Sequence, residues 1–533
     1  MQPYGLTVDK FLDHAAKWFG DAQIVEADAG VARGRIGYAA LRARSNRMSG
    51  ALAALGLAFG DRIATLAWNT QHHLEIYYAA MGAGLVCHTL NPRLTVAHLA
   101  AMVNEADDRI VAVSSDLLPL LREMAPFCPG IEHVIVLDAA PTDLESLAPH
   151  RARLWPFEPL LAAHGADSLW GGFDENAAAG LCYTSGTTGS PKGVVYTHRS
   201  NYLHTLRALQ ADAVGLTSED VLLLAVPMFH ANGWGLPFAA PAVGTKLVLP
   251  GRAMDGAALA RLMRDEGVTV AVGVQTVWLG LVDHLAATGE TLPELHRVLI
   301  GGSSCPDALI RRMEEQLGAR VQTSWGMTEL SPIGTIAPPA TIPDEPRASG
   351  RPPIGIDLKL TDAAGNTLTP QRDMLGHLKV KGASVIDRYF MADDDALDSE
   401  GYFDTGDLAM IDAAGNLTIC GRAKDLIKSG GEWINPNEIE MIVGRHPSVR
   451  HVAVIGRPDV KWGERPVLIV ERHGDRDDPQ ALIALLRGKV ADWWIPDQVA
   501  DIAAMPLAAS GKIDKNRLRA DYAEGRIDAR RVA

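Results

Sequence analysis

The chain has 533 residues, of which 47% are hydrophobic and 21% charged, and its formal net charge at pH 7 is −14. Because single hydrophobic cores stop growing at about 250–300 residues, this length predicts at least two domains. The negative charge argues against nonspecific binding to nucleic acid or to anionic lipid, both of which need clustered Lys and Arg. A polyanionic ligand would have to be held by a local positive site.

The N-terminal segment and the cysteines indicate a cellular compartment. The first twenty residues lack a basic stretch followed by an apolar one, so no signal peptide is expected. The five cysteines show neither a CxxC pair nor metal-ligand spacing; they are Cys87, Cys128, Cys182, Cys305 and Cys420. This pattern predicts reduced thiols in a cytoplasmic protein, with Cys182 in the core.

Along the first part of the chain, helical and strand patterns alternate. Helical spacing is found at residues 38–55 and 72–83, and short apolar runs typical of strands at 62–67, 110–113 and 133–137. Later β-branched runs cover 268–274 and 297–300. Such alternation predicts an α/β fold with largely parallel, buried sheets.

Residues 183–193 read YTSGTTGSPKG and follow a short apolar strand at 180–183. Glycines let backbone N–H groups turn toward an anion, hydroxyls donate further hydrogen bonds, and a lysine adds a positive charge. The segment therefore predicts a phosphate-binding loop. It is not a Walker A motif, because Lys192 lies between Pro191 and Gly193 instead of preceding Ser or Thr.

Residues 221–245 contain no Asp, Glu, Lys or Arg and are numerous enough to cross a bilayer. They also contain three prolines, His230 and Asn232, which argue against a membrane helix. We expect a buried strand at 221–226, then a loop that carries His230 and Trp234, then a core helix.

Three later motifs offer groups for nucleotide chemistry. In SWGMTE, Trp325 offers an aromatic plane, Thr328 a hydroxyl for phosphate and Glu329 a carboxylate for Mg²⁺. In YFDTGD, Asp407 can accept ribose hydroxyls, and PLAASGKIDK presents Lys512. Taken singly, these residues have simpler explanations: Trp325 as a core tryptophan, Asp407 as a turn aspartate and Lys512 as a surface lysine.

A domain boundary is expected near residues 421–425. A turn signal at 412–416 precedes it and a glycine corner at 428–432 follows it. A helix then begins after Asn435 as N-cap, with Pro436 at its first position and Glu438 at its third. Strands at 452–455 and 466–470 and a helix at 479–490 complete a small α+β domain.

In this order, YTSGTTGSPKG, SWGMTE, YFDTGD, GRAKDLIKSGGEWINPNEIE and the final SGK resemble the adenylate-forming superfamily over about residues 6–518. This superfamily includes acyl-CoA synthetases, aryl-CoA ligases, luciferases and peptide-synthetase adenylation domains. VPMFHANGWGLPF and KDLIKSGGEWINPNEIE resemble, more narrowly, bacterial short- to long-chain fatty acyl-CoA synthetases and methylmercaptopropionate-CoA ligases. The resemblance implies a large N-terminal domain of α/β sheets layered with helices (1–421), a hinge (422–426) and a small mobile α+β C-terminal domain (427–533).

The resemblance also implies a role for each matching residue. Catalysis would use Lys512, Lys192, Thr328, Glu329 and His230, with Glu329 binding Mg²⁺. The nucleotide would contact Thr184, Ser185, Gly186, Thr187, Thr188, Gly189, Lys192, Gly301, Gly302, Ser303, Ser324, Trp325 (stacked on the base), Gly326, Met327, Thr328, Asp407, Ile419, Arg422 and Lys512. The acyl pocket would use His230, Trp234 as its gate, Gln275, Trp278, Gly301 and Gly326. The thioester step would use Lys428, Gly430, Gly431, Glu432 and Trp433, and Lys424 would be the hinge residue.

The implied reaction needs ATP, Mg²⁺ and coenzyme A. The carboxylate substrate is already ionised near pH 7, so attack on ATP requires no general base. The family also implies a cytoplasmic homodimer. Transfer of the acyl group to a carrier-protein thiol, an aromatic acid as substrate, and an inactive nucleotide- or acyl-CoA-binding protein remain alternatives. Gln275, where relatives often have proline, places a polar group near the acyl pocket.

Overall fold

The computed structural model describes residues 1–138, 152–184, 191–302, 305, 307–339, 348–430, 432–472, 479–508 and 512–532. The strands up to the phosphate loop are β1 (Gln23–Asp28), β2 (Val31–Gly37), β3 (Arg62–Leu66), β4 (Val86–Thr89), β5 (Ile110–Val113), β6 (His133–Val136), β7 (Arg153–Pro156) and β8 (Ala178–Tyr183). The helices of this part are α1 (Asp9–Trp18), α2 (Tyr38–Ala54), α3 (Gln71–Gly82), α4 (Val96–Glu105), α5 (Leu118–Met124) and α6 (Phe157–His164).

The middle of the chain continues the α/β alternation and then becomes all-β. Its strands are β9 (Gly193–Thr197), β10 (Val221–Leu224), β11 (Lys246–Leu249), β12 (Val270–Val274), β13 (Arg297–Gly301), β14 (Arg320–Gly326), β15 (Ile333–Ile336), β16 (Ile356–Thr361), β17 (Gly376–Gly382), β18 (Phe403–Ile411) and β19 (Leu417–Arg422). Its helices are α7 (His198–Ala208), α8 (Ala231–Trp234), α9 (Leu236–Val243), α10 (Gly256–Glu266), α11 (Gln275–Thr288) and α12 (Asp307–Leu317).

The last hundred or so residues form a separate sheet with helices beside it. The strands are β20 (Ile427–Ser429), β21 (Glu432–Ile434), β22 (Val449–Asp459), β23 (Gly463–Arg472), β24 (Gln498–Asp501) and β25 (Arg530–Arg531). The helices are α13 (Pro436–Val443), α14 (Pro479–Ala484) and α15 (Lys515–Ala523).

Two large sheets carry the N-terminal part, and both are mostly parallel. One has the order β7-β6-β5-β3-β4-β8-β9, and the other β15-β14-β13-β12-β10-β11-β1-β2. Only the pairs β8–β9, β14–β15 and β1–β2 are antiparallel. A core cluster of buried residues draws side chains from both sheets and from the helices between them, for example Ile63, Tyr77 and Leu222. The predicted α/β fold with largely parallel, buried sheets is thus confirmed.

Tyrosines of α3 connect the helical layer to the site region. The hydroxyl of Tyr78 donates a hydrogen bond to the backbone oxygen of Pro237 (2.9 Å), and that of Tyr77 donates to the backbone oxygen of Met228. Both side chains are fully buried. Because a buried hydroxyl needs a partner, these bonds fix the segment after β10 and the start of α9 against α3.

Sequence patterns located most of these elements, with two differences. The helix expected at 479–490 ends at Ala484, because Leu485 and Leu486 form tighter i to i−3 bonds and Gly488 takes a φ of +71°. Residues 356–422 form a four-stranded antiparallel sheet, β16-β17-β18-β19, that the sequence did not predict beyond one turn. No helix in the described ranges is long and apolar enough to cross a membrane. Residues 221–245 instead form β10, α8 and α9, as expected.

The N-cap of α13 also follows the sequence pattern. Asn435 accepts a hydrogen bond from the backbone N–H of Asn437 (3.1 Å), and its amide nitrogen donates to Glu438 (3.3 Å). The same nitrogen donates to the backbone oxygen of Cys420 (2.7 Å). One capping residue thus starts the helix and ties it to the end of β19.

Gly350 joins the end of the eight-stranded sheet to the antiparallel sheet. Its backbone oxygen accepts from Leu417, and a Cβ at this position would lie 1.9 Å from the backbone carbon of Ile336. Its φ is +77°. Gly365 has a similar φ of +88° but open space around it.

We therefore expect Gly350→Ala to lower the thermal unfolding temperature much more than Gly365→Ala. The control carries only the left-handed backbone cost, about 1–2 kcal/mol, whereas Gly350→Ala adds overpacking of about 1–3 kcal/mol. Differential scanning calorimetry of both variants measures this difference. Equal melting temperatures would show that the close contact at Gly350 does not constrain the fold.

Candidate active site

Two adjoining cavities lie where the parallel strands β8, β12, β13 and β14 end. The larger encloses about 790 Å³ and the smaller about 600 Å³. Both are lined by Gly302, Ser324, Trp325, Gly326, Arg422 and Lys512, among others. Ligands of α/β proteins bind at the carboxyl ends of parallel strands, so the fold itself favours this location.

A 3₁₀ turn at Thr328–Leu330, which we call the Thr328 turn, follows β14 and forms one wall of the smaller cavity. Its backbone oxygens are each held from outside the turn. The Tyr196 hydroxyl donates to the oxygen of Thr328 (2.9 Å), and the Ile386 N–H donates to that of Glu329 (3.0 Å). The Ser384 hydroxyl donates to the oxygen of Leu330 (3.0 Å). The turn is therefore fixed before any ligand binds.

Two buried basic residues of α7 hold the chain just after this turn. The Ile333 N–H donates to His204 Nε2 (3.3 Å), and Arg207 donates to the Ile333 oxygen (3.3 Å) and to Ser384 (2.7 Å). Burial lowers the pKa of His204 well below its usual range, so this ring is neutral and Nε2 can accept. Burial also lowers the pKa of Arg207, to about 10, which leaves it charged at neutral pH.

Glu329 is buried and its carboxylate faces the smaller cavity. The Tyr389 hydroxyl donates to Oε1 at 2.9 Å. Burial raises the pKa of Glu329, and the bond from Tyr389 and the charges of Arg422 and Lys512 oppose this rise. Among the described residues no group of three His, Cys, Asp or Glu side chains forms a metal site. Since Mg²⁺ is usually held by one or two carboxylates together with phosphates, Glu329 fits such an ion arriving with a nucleotide.

The neck of the phosphate loop is a short antiparallel pair. Tyr183 pairs with Gly193, and the Thr184 N–H donates to the oxygen of Lys192 (2.9 Å). Thr184 and Lys192 both line the smaller cavity. Ser185, Gly186, Thr187, Thr188 and Gly189 lie outside the described residues, as do Ser303 and Gly431.

Asp407, on β18, lines the larger cavity with both carboxylate oxygens already in contact with a donor. Arg422 Nε lies 2.8 Å from Oδ1, and the Trp325 indole N–H donates to Oδ2 at 2.9 Å. Burial raises the pKa of Asp407, and Arg422, Trp325 and Lys512 oppose this rise. A carboxylate has about four acceptor positions, so Asp407 retains capacity for further hydroxyl donors.

Trp325 is only 8% exposed and packs against Gly334, whose added Cβ would lie 2.3 Å from the ring. It still lines both cavities. The small exposed part of the indole is what remains for the predicted stacking on a base. Ser324, Gly326 and Met327 also line the smaller cavity, and Ile419 lines the larger one.

Lys512 enters this region from the segment between β24 and α15 and lines both cavities. Its side chain stays accessible because it faces the cavity space, although protein atoms surround it closely. This surrounding protein lowers the pKa of Lys512 and the Arg422 charge adds to the effect, whereas Asp407 and Glu329 oppose it. The structure thus brings together Lys512 and Glu329, which lie far apart in sequence.

A left-handed turn positions the expected gate residue. From Ala231 to Gly235 all five residues have positive φ, between 42° and 74°. Such backbone costs about 1–2 kcal/mol for each residue other than glycine. The Trp234 indole is thereby placed beside Gly301, where an added Cβ would lie 3.0 Å from the ring.

The other residues expected at the acyl pocket lie in different places. His230 and Trp234 line the smaller cavity, Gln275 the larger one and Gly326 both. The expectation that Trp278 lines the acyl pocket is corrected by the structure. Its side chain is fully buried in a core cluster, in contact with Gly273, and lines neither cavity. Its ring packs directly on Gly273 of β12, where an added Cβ would lie 2.7 Å from the ring, so it faces the sheet.

The described residues among those expected for the thioester step are not at the cavities. Lys428, Gly430, Glu432 and Trp433 line neither cavity, and Trp433 is 52% exposed. The Gly430 N–H donates to the oxygen of Trp462 (2.7 Å). The expected hinge residue, Lys424, lies in a 3₁₀ turn at Ala423–Asp425 and lines the smaller cavity.

Sequence reasoning missed the residues that support the site from behind. Tyr196, His204, Arg207 and Tyr389 belong to no motif recognised in the sequence, and each contacts the site only through the fold. The only sequence signal was the polar character of three of them within helical or strand patterns.

We expect the acid sensitivity of the protein to depend partly on His204. The unfolded chain takes up a proton at His204 near pH 6.5 but the folded chain does not, so stability is present above that pH and is lost as pH falls below it. Each such histidine lowers the free energy of unfolding by about 1.4 kcal/mol per pH unit in this range. Burial also lowers the pKa of His73 and of His198, so these residues add similar losses.

In denaturant unfolding between pH 7 and pH 5, His204→Gln should therefore show a shallower fall of the free energy of unfolding than the unmodified chain. The slope, and not the absolute stability, is compared. Parallel slopes would contradict a neutral, buried His204.

Comparison with known proteins agrees with this geometry. The profile of the AMP-binding enzyme family matches residues 12–390, and that of the AMP-binding enzyme C-terminal domain matches residues 438–512. The chain is 41% identical to 3-methylmercaptopropionyl-CoA ligase from Ruegeria lacuscaerulensis, with 98% of each chain covered. It is 40% identical to medium-chain-fatty-acid–CoA ligase from Ectopseudomonas oleovorans, with 97% of this chain and 96% of the relative covered.

Among solved structures, ATP-bound MatB from Rhodopseudomonas palustris matches with a TM-score of 0.83 at 27% identity, over 97% of this chain and 99% of MatB. The fold class, the family resemblance and the acid–thiol ligase class expected from the sequence are confirmed. This chain belongs to the AMP-binding enzyme family.

Proposed function

We propose that this chain is an ATP-dependent acyl-CoA ligase that activates a carboxylic acid as acyl-AMP and transfers the acyl group to coenzyme A. The observation that carries the proposal is the convergence of Lys192, Glu329 and Lys512 on one cavity of about 600 Å³. These residues belong to three distant segments, and their charges suit a nucleotide phosphate chain with its metal ion. The same cavity contains His230 and Trp234, so an acid can lie beside the phosphates.

In the first step, a carboxylate oxygen of the acid attacks the α-phosphorus of ATP. The bond from this phosphorus to the oxygen bridging to the β-phosphate breaks, and pyrophosphate leaves. Lys192 lies by the neck of the phosphate loop and holds the departing pyrophosphate, and Lys512 contacts the reacting oxygens. These two positive charges offset the repulsion between two anions, which is the main barrier to the reaction.

Glu329, with nucleotide phosphates, would bind Mg²⁺, which supplies positive charge that neutralises the phosphates when bound. Thr328 contacts the α-phosphate, and Asp407 accepts from the ribose. In support, the Thr328 turn is fixed by hydrogen bonds from Tyr196 and Ser384, so the backbone that carries Thr328 and Glu329 is preorganised.

In the second step, the CoA thiolate attacks the acyl carbon and AMP leaves. Residues 427–533 rotate about the hinge at 422–426, so that Lys512 withdraws and Gly430, Glu432 and Trp433 approach the cavity. The surface position of Lys428 and Trp433 in this structure supports the rotation, since these residues contribute nothing to the cavities as they stand. Arg519 of the C-terminal part pairs with Asp425, inside the hinge, at 2.7 Å.

For the acid itself, we propose a short- or medium-chain fatty acid or a similar acid such as the thioether methylmercaptopropionate. The identity of about 40% to relatives named for these substrates supports this class. Gln275, at the start of α11, supplies a polar group in the larger cavity that an unsubstituted aliphatic chain would not need.

We further propose that the enzyme is a cytoplasmic homodimer. Support for a reducing compartment comes from the five cysteines, all of which are free thiols.

A pyrophosphate-release screen with straight, branched, aromatic and thioether acids, each with and without CoA, tests the function. We expect release with short- or medium-chain or thioether acids, and disappearance of acyl-AMP only when CoA is present. If none of the acids in the panel caused release of pyrophosphate, the ligase assignment would be contradicted. Acyl-AMP that accumulates despite CoA would instead favour a carrier-protein thiol as acceptor.

Lys512→Ala should abolish formation of acyl-AMP but retain conversion of supplied acyl-AMP to the thioester. The reason is that Lys512 contacts oxygens that gain charge only during adenylation. Single-turnover assays of the two half-reactions measure this, with the exposed Lys489→Ala as control. Equal loss of both half-reactions would contradict the role given to Lys512.

Trp234→Ala should broaden the chain-length preference, because it removes the indole that lies beside Gly301 and lines the smaller cavity. We expect the ratio of kcat/KM between long and short acids to change by at least about tenfold. Competition assays with acids of increasing length measure the ratio, and the exposed Trp18→Ala serves as control. An unchanged profile would remove Trp234 from the pocket wall.

A further inference from the structure

The segment from Ile386 to Phe390 connects the neck of the phosphate loop to the Thr328 turn. The Phe390 N–H donates to the oxygen of Gly193 (2.8 Å), at the point where the loop closes. At its other end, the Ile386 N–H donates to the oxygen of Glu329 (3.0 Å). One short segment of chain therefore fixes two walls of the smaller cavity relative to each other.

Within this segment, Tyr389 contacts a functional side chain on each wall. Its hydroxyl donates to Glu329 Oε1 at 2.9 Å, and Lys192 Nζ lies over its ring, 4.7 Å from the centroid. Tyr389 itself lines the smaller cavity and is half-buried. A phenol is suited to both contacts, because its O–H donates to a carboxylate and its ring face attracts a cation.

These two contacts keep Lys192 and Glu329 from pairing with each other. A lysine and a carboxylate that share a partly enclosed cavity attract each other strongly and tend to pair. Such a pair would fill the space and neutralise both groups before a nucleotide arrived. In the described residues no ion pair joins Lys192 to Glu329, and Tyr389 lies between them as an uncharged partner for each.

We propose that Tyr389 is a positioning residue for adenylation: it holds Lys192 and Glu329 apart as two charged groups, so that the phosphates of ATP and their metal ion can enter between them. This inference rests on the proposed function. It assigns no chemical step to Tyr389, which acts through Lys192 and Glu329.

Two substitutions separate the two contacts of Tyr389. Tyr389→Phe removes the hydrogen bond to Glu329 but keeps the ring beneath Lys192, whereas Tyr389→Leu removes both. Tyr402 offers a matched control elsewhere in the chain. Its hydroxyl donates to Asp357 at 2.5 Å and Lys359 Nζ lies 4.0 Å from its ring centroid, but it lines neither cavity.

The primary measurement is calorimetric binding of α,β-methylene-ATP, whose α–β linkage is not cleaved, to the full chain with and without Mg²⁺. We expect Mg²⁺ to increase the affinity of Tyr389→Phe for the analogue about tenfold less than it increases that of the unmodified chain. This difference corresponds to the loss of one hydrogen bond to a charged group. Tyr389→Leu should lose more, and should also bind the Mg²⁺-free analogue more weakly, because Lys192 then pairs with Glu329. Tyr402→Phe should bind as the unmodified chain does.

The second measurement is conversion of supplied acyl-AMP and CoA to thioester, a step that needs neither pyrophosphate nor Mg²⁺ at Glu329. We expect both Tyr389 variants to retain it within about twofold, since loss of one supporting contact leaves the rest of the fold intact. Retention also shows that the variants are folded.

The proposal is overturned if Tyr389→Phe binds the Mg²⁺ complex with unchanged affinity. It is also overturned if both half-reactions fall together while binding is unaffected, since that pattern indicates a general structural role. Failure of the unmodified chain to bind the analogue would contradict the nucleotide site itself, and is thereby distinguished from failure of Tyr389 alone.

Discussion

The hydrogen bonds that fix the Thr328 turn are the interaction on which the site depends. Each backbone oxygen of this turn has a donor from another part of the fold, including Tyr196 and Ser384. Arg207 then links Ser384 to the strand that follows the turn. Because buried polar groups without partners cost about 1–3 kcal/mol, loss of one donor disturbs the whole group. Helix α7, which follows β9, thereby helps to set the position of Glu329.

Electrostatics imposes the second constraint. A protein of net charge −14 must bring two anions together, so its positive groups have to remain available at one point. Arg422 is committed to Asp407, whereas Lys192 contacts only the ring of Tyr389 among charged or aromatic partners described for it. Lys512 lines the same cavity from the segment between β24 and α15.

Local patterns predicted much of this architecture. The alternation of 3.6- and 2-residue periods gave the parallel sheets, and Asn435 with Pro436 marked the start of α13 within one residue. The shortened helix after Pro479 and the placement of Trp278 were not predictable. Trp278 packs in a core cluster with residues of other strands, such as Leu223 and Val298, which an amphipathic pattern does not encode, whereas the helix after Pro479 ends in local i to i−3 bonds before Gly488.

By itself, the sequence determined which groups are available: the glycine-hydroxyl loop with Lys192, the Thr328-Glu329 pair, Asp407 and Lys512. Their types and order suffice to indicate phosphate and carboxylate chemistry, because that chemistry needs those functional groups. Only the tertiary structure decided that Lys192, Thr328, Glu329 and Lys512 line one cavity with Asp407 in the adjoining one, and that Tyr389 stands between Lys192 and Glu329. The physical reason is that distances between side chains far apart in sequence are set by sheet order and packing, and a single sequence does not state either.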